Sequence, residues 1–292
     1  MSRALRVLQG EFGRVALLDM NRPLVRHAHH HCHILFKSSG ADASFYVNNE
    51  QSPLTDGTAV LINAWEPHCY NHVRDAPPTE ILALYLEPSW LASIDKVFSA
   101  SSERNFFERS SVVLDPGTRQ KVAEVCSEIA YGTLNNTFDV QARIFDLTIS
   151  VAHQFSNWRN LSPAPTRSRL IFDHRVKRSM SFMRDHTRYN MSTDHLAGVA
   201  GLSRPRFYEL FKECTGLTPN LFASMLVVEG AIERLANSNC AISDVAFDLG
   251  FSAQSNFARF FAQHVGCSPS DYRRKVDLFR ASEMAGEEPL AH

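Results

Sequence analysis

The spacing of apolar positions changes along the chain, from short runs to helical stripes. In roughly the first hundred residues, the runs "RVALLDM", "HILFK", "ASFYV", "AVLIN" and "ILALYLE" are rich in β-branched and aromatic residues. Clusters of Gly, Pro and Asp separate these runs, as turn residues separate β-strands. Many short strands at this spacing favour a small antiparallel barrel or sandwich, and we predict such a β-domain here.

Helical periodicity follows over residues 117–131 and 137–158. In the second segment the apolar positions recur at spacings of three and four, so they form one stripe along a helix. The stripe consists of Ile144, Leu147, Val151, Phe155 and Trp158. Such a stripe can pack on the neighbouring barrel or form a dimer contact. We expect the dimer contact, and we therefore expect residues 1–160 to form a homodimer by themselves.

A change in composition divides the chain into two domains. The segment "RNLSPAPTRSR" has prolines and serines but no apolar periodicity, which is typical of an exposed linker. We assign residues 1–160 to the first domain, 161–172 to the linker, 173–275 to a helical domain and 276–292 to a tail. Residues 167–275 contain 15 Lys and Arg against 10 Asp and Glu, although the whole chain has a net charge of −1. A basic block of this kind indicates a polyanionic partner.

The helical domain contains an internal repeat. The stretch "LAGVAGLSRPRFYELFKECTGLTPNLF", which begins at Leu196, aligns with "VAFDLGFSAQSNFARFFAQHVGCSPSDY", which begins at Val245. Each copy predicts a helix, a turn at Gly201 or Gly250, and a second helix. A further helix over residues 219–236 connects the two copies. This is the geometry of two helix-turn-helix units, whose second helices lie in the major groove of DNA.

The second helix of each unit has an apolar face and a polar face. The polar positions carry side chains suited to nucleic acid: arginine pairs with guanine, asparagine and glutamine pair with adenine, and lysine reaches phosphate. The predicted DNA-contacting residues are Arg204, Pro205, Tyr208, Glu209 and Lys212 in the first unit, and Gln254, Ser255, Asn256 and Arg259 in the second. A single copy of this pattern could be a helical hairpin that packs on its neighbour and exposes an ordinary polar face to solvent. Two copies in register on the basic part of the chain favour DNA binding.

At these residues the sequence resembles a known family. Residues 173–275 resemble the DNA-binding domain of the AraC/XylS family of bacterial transcription regulators, on the segments "GLSRPRFYELFKECTGLTP" and "GFSAQSNFARFFAQHVGCSPSDYRR". The segment "EILALYLEPSWL" is similar to the end of the cupin-like sensor domain that many members carry. The resemblance implies an α+β protein: a cupin-like β-barrel with a two-helix dimerisation segment, then an all-α DNA-binding domain with two helix-turn-helix motifs.

The same resemblance implies a function. It indicates a sequence-specific transcription regulator whose barrel senses a small-molecule or metal effector. Double-stranded promoter DNA would be its partner, the active form would be a homodimer, and RNA polymerase would be a further partner if the protein is an activator. The alternative is a cupin metalloenzyme that carries a DNA-binding domain. Only Glu66 and Glu80 are candidates for its acid–base chemistry, so we expect that the protein is not an enzyme.

The run "HAHHHCH" places five histidines within seven residues. Cupins that bind metal use H-x-H-x3-E on one strand and another histidine on a later strand. By this resemblance His27, His29, His33 (at the glutamate position) and His68 would bind one divalent transition metal: Zn, Fe, Ni or Cu, which accept imidazole ligands. Ligation needs neutral imidazoles, so affinity should fall below about pH 6.5. Two alternatives stay open: a pocket for an anionic organic effector, or no special role.

The sequence also bears on location. It has no run of 18 apolar residues and no signal-peptide pattern at its N-terminus, which predicts a cytoplasmic protein without membrane association. Its six cysteines are spread out and form no CxxC pair. We expect them to be reduced thiols, as is usual in that compartment.

Overall fold

The computed structural model describes residues 2–132, 136–157 and 173–279. Its first part is a β-domain, in which the short apolar runs form strands as predicted. The strands are β1 (Arg3–Gly10), β2 (Gly13–Met20), β3 (Cys32–Gly40), β4 (Ala43–Val47), β5 (Glu50–Leu54), β6 (Thr58–Ile62), β7 (His68–Asn71), β8 (Thr79–Leu86), β9 (Ser111–Val113) and β10 (Val276–Leu278).

The strands form two sheets with an apolar interior between them. The larger sheet has the strand order β10-β1-β2-β8-β3-β6-β9, and the smaller sheet has the order β5-β4-β7. Strand β8 is antiparallel to both of its neighbours, β2 and β3. Because side chains alternate along a strand, Ile81 and Tyr85 of β8 face the smaller sheet, whereas Leu82 and Leu84 face away from it. Both faces of β8 are covered, which explains its continuous apolar run.

Helices cover the outer face of the larger sheet. They are α1 (Pro88–Ile94), a short 3-10 helix (Lys96–Ser102), α2 (Pro116–Tyr131) and α3 (Thr137–Phe155). Helix α2 begins after Asp115, whose side chain accepts hydrogen bonds from the backbone N–H groups of Gly117 and Thr118. Both helical segments of the first domain therefore form where the periodicity predicts them.

The apolar stripe of α3 packs on the barrel of its own chain. Ile144, Leu147 and Val151 are buried in the same apolar cluster as Leu82 and Leu84 of β8. The prediction of a dimer contact on this stripe is therefore wrong, because the outer face of the sheet already occupies it. Trp158, the last position of the stripe, lies outside the described residues.

The helical domain consists of α4 (His174–Asp185), α5 (Thr193–Ala200), α6 (Arg204–Thr215), α7 (Pro219–Asn237), α8 (Ile242–Asp248), α9 (Gln254–Val265) and α10 (Pro269–Lys275). The pairs α5–α6 and α8–α9 are the two predicted helix-turn-helix units, and α7 connects them. Gly201 and Gly250 lie in the turns with φ angles of 67° and 85°, a region that favours glycine. Gly216 and Gly266 end the second helices in the same conformation. The turn chemistry read from the repeat is confirmed.

The assignment of residues 276–292 to a separate tail is wrong at its beginning. Strand β10 pairs with β1 in parallel, with Val7 opposite Val276 and Gln9 opposite Leu278. Beyond the strand, the backbone N–H of Phe279 donates to the Gln9 carbonyl oxygen over 2.8 Å. The exposed edge of β1 supplies unpaired backbone groups, and the short apolar stretch after α10 satisfies them. Residues 280–292 lie outside the described residues, as does the linker assigned to 161–172.

The two domains are in direct contact elsewhere as well. The Tyr272 hydroxyl donates to Gln9 Oε1 over 3.0 Å, and the Ala4 N–H donates to Asp271 Oδ2 over 2.7 Å. One apolar cluster includes side chains from the barrel interior and from α7 to α10. The β-domain and the helical domain are thus packed together. Among the helices that the structure describes, none has the length and apolar character needed to cross a membrane.

Candidate functional site

The outward faces of α6 and α9 form the candidate DNA-binding surface. The phenylalanines predicted to point inward, such as Phe207 and Phe257, are fully buried. All nine predicted contact residues are exposed to solvent: Arg204, Pro205, Tyr208, Glu209, Lys212, Gln254, Ser255, Asn256 and Arg259. The structure thus divides each helix into the two faces that the sequence predicted.

Arg204 is held by a weak contact in this surface. Its Nη1 lies 3.2 Å from Asp194 Oδ2 on the preceding helix, and both side chains are about two-thirds exposed. An exposed pair of this kind contributes at most about 1 kcal/mol. Arg204 can therefore leave Asp194 for a base or phosphate at small cost.

The second candidate site is the histidine cluster, which comprises His27, His29, His33 and His68. The structure brings all four together in the buried interior of the β-domain. Only His33 lies on β3, because the preceding stretch 21–31 is irregular rather than extended. The expectation that His27, His29 and His33 lie on one strand is therefore wrong. Instead, His27 pairs with His68 through backbone hydrogen bonds of 2.9 and 2.8 Å.

The imidazole rings of the histidine cluster are closely packed. The ring centroids of His27 and His68 are 4.3 Å apart, and those of His29 and His68 are 4.9 Å apart. One nitrogen from each of these three residues lies within 4.8 Å of the others. His33 is adjacent, with its Nδ1 at 3.1 Å from His29 Nε2. Three of the four predicted ligands thus share one potential metal position. The fourth, His33, is hydrogen-bonded to one of these three, His29.

Hydrogen bonds fix which nitrogen each ring presents to the interior. Nδ1 of His27 lies 2.8 Å from the Val25 carbonyl oxygen, and Nδ1 of His68 lies 2.8 Å from that of Glu66. Nδ1 of His29 lies 3.2 Å from the carbonyl oxygen of His31. Because a carbonyl oxygen only accepts, each Nδ1 carries the proton and each Nε2 keeps its lone pair. Metal-binding histidines are oriented in this way.

One of these lone pairs has no partner within the described part of the chain. His68 Nε2 is buried without a hydrogen bond, and so is His33 Nε2. Buried polar atoms normally have partners, so an unpaired one suggests a ligand that completes the site. Neither Cys32 nor Cys69 belongs to the group of close ligand atoms.

Burial keeps the cluster uncharged. It lowers the pKa of His27, His29 and His33 well below its usual range, and the neighbouring imidazoles lower it further. Burial also lowers the pKa of His68, to about 4. The rings are therefore neutral at pH 7, as metal ligands must be. Because these pKa values are lowered, we expect protons to compete with a metal only well below the pH of about 6.5 at which exposed imidazoles titrate, so the pH of about 6.5 predicted from the sequence is too high.

The helical domain closes the cavity beside the histidine cluster. In this arrangement of the domains the cavity measures about 20 Å³, which is room for a water molecule or an ion. Its walls on the barrel side include Arg14 and Tyr85 in addition to His27 and His29, and Arg14 lies over the Tyr85 ring at 3.9 Å. Its walls on the other side are Met225, Val228, Glu229, His264 and Val265, from α7 and from the end of α9.

Sequence reasoning missed the residues on these walls. Arg14, Glu229 and His264 lie far apart along the chain and belong to no shared motif. Only the packing of the two domains brings them to the cavity. His31 was also left outside the predicted set, yet it is buried, while its neighbour His30 bonds Glu87 Oε2 over 3.0 Å.

Comparison with known proteins agrees with this arrangement. Residues 20–147 match the AraC-like ligand binding domain, and residues 196–275 match a helix-turn-helix domain. The HTH-type transcriptional activator RhaS from Shigella sonnei is 24% identical over 257 residues, which cover 86% of this chain and 88% of that protein. RhaS from Escherichia coli is 23% identical over 256 residues, with the same coverage.

Solved structures of ToxT from Vibrio cholerae share the fold. The apo form of a ToxT variant has a TM-score of 0.57 at 14% identity and covers 90% of this chain and 97% of that chain. Wild-type ToxT with a bound unsaturated fatty acid has a TM-score of 0.50 at 13% identity, covering 94% of this chain and 95% of that one. At such identities the similarity shows the common order of a β-domain and a helical domain.

Proposed function

Because this chain belongs to the AraC/XylS family of transcription regulators, we propose that it binds promoter DNA through α6 and α9 under the control of an effector in its β-domain. The family assignment disfavours the alternative of a cupin metalloenzyme. The observation that carries the proposal is the position of the histidine cluster. Met225 and His264 of the helical domain close its cavity, so a ligand there contacts the domain that carries the DNA-binding surface.

The effector that best fits the histidine cluster is a divalent transition-metal ion. His27, His29 and His68 each direct an Nε2 lone pair inwards, and His33 is the candidate for the fourth position. An all-imidazole set favours Zn, Fe(II), Ni or Cu over Mg or Ca, which prefer oxygen ligands. His29 Nε2 accepts a hydrogen bond from His33 Nδ1, so this bond would have to break before His29 binds the ion, and His33 would then bind through its unpaired Nε2.

Control of DNA binding would follow from the place of the ion between the domains. A ligand shifts a conformational equilibrium only if it has different interaction energies with the two states. Ligation would draw together His27 and His29, which line the cavity that Met225 and His264 close. The contacts of α7 and α9 with the barrel would then differ between the metal-bound and metal-free forms.

We predict that tag-free protein binds close to one equivalent of transition metal in this cluster. The His68→Ala variant should lose it, because one of three converging lone pairs is removed. The measurement is elemental analysis after metal reconstitution and dialysis, with His186→Ala as the control, since His186 is an exposed histidine of the helical domain. Equal, substoichiometric metal in wild type and His68→Ala would contradict the prediction.

A second candidate effector is an anionic organic molecule, and Arg14 is the observation that favours it. Arg14 is a buried cation at the edge of the cavity. A carboxylate could pair with it if the domains moved apart to enlarge the cavity. The related fold of ToxT has been solved with an unsaturated fatty acid bound. Absence of metal from reconstituted wild-type protein would favour this candidate.

The exposed faces of α6 and α9 lead to a separate prediction about DNA recognition. Arg259→Ala should weaken binding to the cognate site by about 1–3 kcal/mol and relax base preference in one half of it, because a bidentate contact to guanine is lost. Lys212→Ala should weaken binding to all sequences about equally, with a smaller dependence on salt, because lysine reaches phosphate. A binding selection on both variants measures this. An unchanged base preference for Arg259→Ala would refute its assigned role.

The remaining functional features are inferred from relatives and from exposed surface. RhaS is an activator, so we infer that this protein activates transcription in the cytoplasm through contact with RNA polymerase. We also infer a homodimer. Because the α3 stripe is buried, dimerisation would use the opposite face of α3, where Phe138 is 70% exposed and Ala142 is also exposed.

A further inference from the structure

A second group of ligand atoms lies beside the histidine cluster and shares no residue with it. His30 and His31 precede β3, Glu87 follows β8, and Glu229 lies on α7 of the helical domain. One ligand atom each from His30, His31 and Glu229 lies within 4.8 Å of the others. Glu87 Oε2 lies 3.0 Å from His30 Nε2 and 3.7 Å from His31 Nε2. We call these four residues the bridging cluster, since they come from both domains.

The contacts within the bridging cluster are incomplete. His31 is buried, and its Nδ1 has no hydrogen-bond partner among the described residues. The nearest carboxylate oxygen, Glu229 Oε1, lies 3.9 Å from this Nδ1, which is too far for a hydrogen bond. A buried donor or acceptor left in this state costs free energy.

The separation suits an ion better than a direct contact. Ligands at about 2.0–2.1 Å from a tetrahedral zinc ion lie about 3.3 Å from one another. His31 Nδ1 and Glu229 Oε1 would need to approach by only about half an ångström to reach that spacing. Two imidazoles and the Glu229 carboxylate form a donor set that transition metals accept with water in the remaining position. Glu87, which is hydrogen-bonded to His30, adds a second negative charge beside the site.

We propose that the bridging cluster binds a second divalent transition-metal ion, which connects the β-domain to α7. This site goes beyond the sensing site of the histidine cluster, because it takes one ligand from the DNA-binding domain itself. Helix α7 connects the two helix-turn-helix units. An ion held by Glu229 and by the two barrel histidines would therefore favour the domain arrangement seen here over arrangements that separate them. DNA and this ion would influence each other's affinity by the same factor.

The test uses full-length, tag-free protein stripped with a chelator and titrated with Co²⁺. Binding is followed by visible absorption, and stoichiometry is followed by equilibrium dialysis with elemental analysis. We expect two equivalents in the wild type and one in Glu229→Gln, a nearly isosteric change at a partly exposed position. Glu233→Gln is the matched control, since Glu233 lies one turn further along α7 and is exposed. Glu229→His should retain the second equivalent with a changed spectrum, because it replaces an oxygen ligand by a nitrogen.

The same titration on His68→Ala separates this proposal from the sensing site. His68→Ala should lose the equivalent that Glu229→Gln keeps, and the double variant should lose both. Two equivalents of unchanged affinity in Glu229→Gln would overturn the bridging site, whatever happens in His68→Ala. Equal weakening in Glu229→Gln and Glu233→Gln would also overturn it, since it would show only an effect of surface charge. Loss of metal in Glu229→Gln alone, with His68→Ala unchanged, would support the bridging site and refute the sensing site.

Discussion

Replacement of Leu147 by glutamate is expected to unfold the β-domain. Leu147 is 1% exposed and lies between Ile144 and Val151 against the outer face of the larger sheet. A glutamate there would place a carboxylate within the apolar cluster that surrounds Leu147. Changes of this kind are among the few that cost more than about 4 kcal/mol. We expect at least that loss in the free energy of unfolding.

Chemical denaturation of the full-length protein measures this effect, and Ala142→Glu is the control. Ala142 lies on the same helix but is exposed, so a glutamate there should change the free energy of unfolding of the single chain by less than about 0.5 kcal/mol, whatever it does to association. If the outer face of α3 forms the dimer contact, Ala142→Glu should yield a folded monomer in sedimentation. A folded, stable, monomeric Leu147→Glu protein would instead show that the stripe faces a second chain.

Replacement of Phe279 by alanine should lower the free energy of unfolding by about 3 kcal/mol. Phe279 is 8% exposed and packs in the core of the β-domain, although it follows the helical domain in sequence. Loss of a buried phenylalanine side chain typically costs about 3–5 kcal/mol. We expect the lower end of that range, because Phe279 follows a three-residue strand at the edge of its sheet.

Phe247→Ala is the matched control for Phe279→Ala. Phe247 lies in α8 and is 54% exposed, so truncation should change stability by less than about 1 kcal/mol. Urea denaturation of both variants, with the wild type, makes the comparison. Equal effects would mean that β10 does not dock on β1 in solution. The predicted difference would show that the helical domain stabilises the β-domain through this strand.

The helical domain could be predicted closely from its sequence because its signals are local. Gly201 and Gly250 mark turns that need positive φ angles, and Pro219 and Pro269 begin the helices that follow. The spacing of phenylalanines fixes which face of α6 and α9 is buried. Each of these features depends on residues within a few positions of one another, so a single chain is sufficient to read them.

The histidine cluster could be predicted only in part. The H-x-H spacing and the later His68 indicated residues that the structure brings together. The sequence could not show that residues 21–31 are irregular, nor that backbone carbonyls orient the rings. The sequence also gave no reason to expect that His31 is buried, because the burial of His31 depends on α7.

By itself, the sequence determined the two domain types, the two helix-turn-helix units, the exposed residues on the second helix of each unit and the histidines that meet in the interior. These follow from periodicity, turn residues and motif spacing, which act over short stretches of chain. Only the tertiary structure decided that the α3 stripe covers its own sheet, that β10 extends the larger sheet at its edge, and that α7 and α9 close the histidine cavity. Those contacts join residues separated by up to about 270 positions, such as Gln9 and Leu278. The pairing of apolar faces depends on how the whole faces of sheets and helices fit together. No local sequence pattern specifies this pairing.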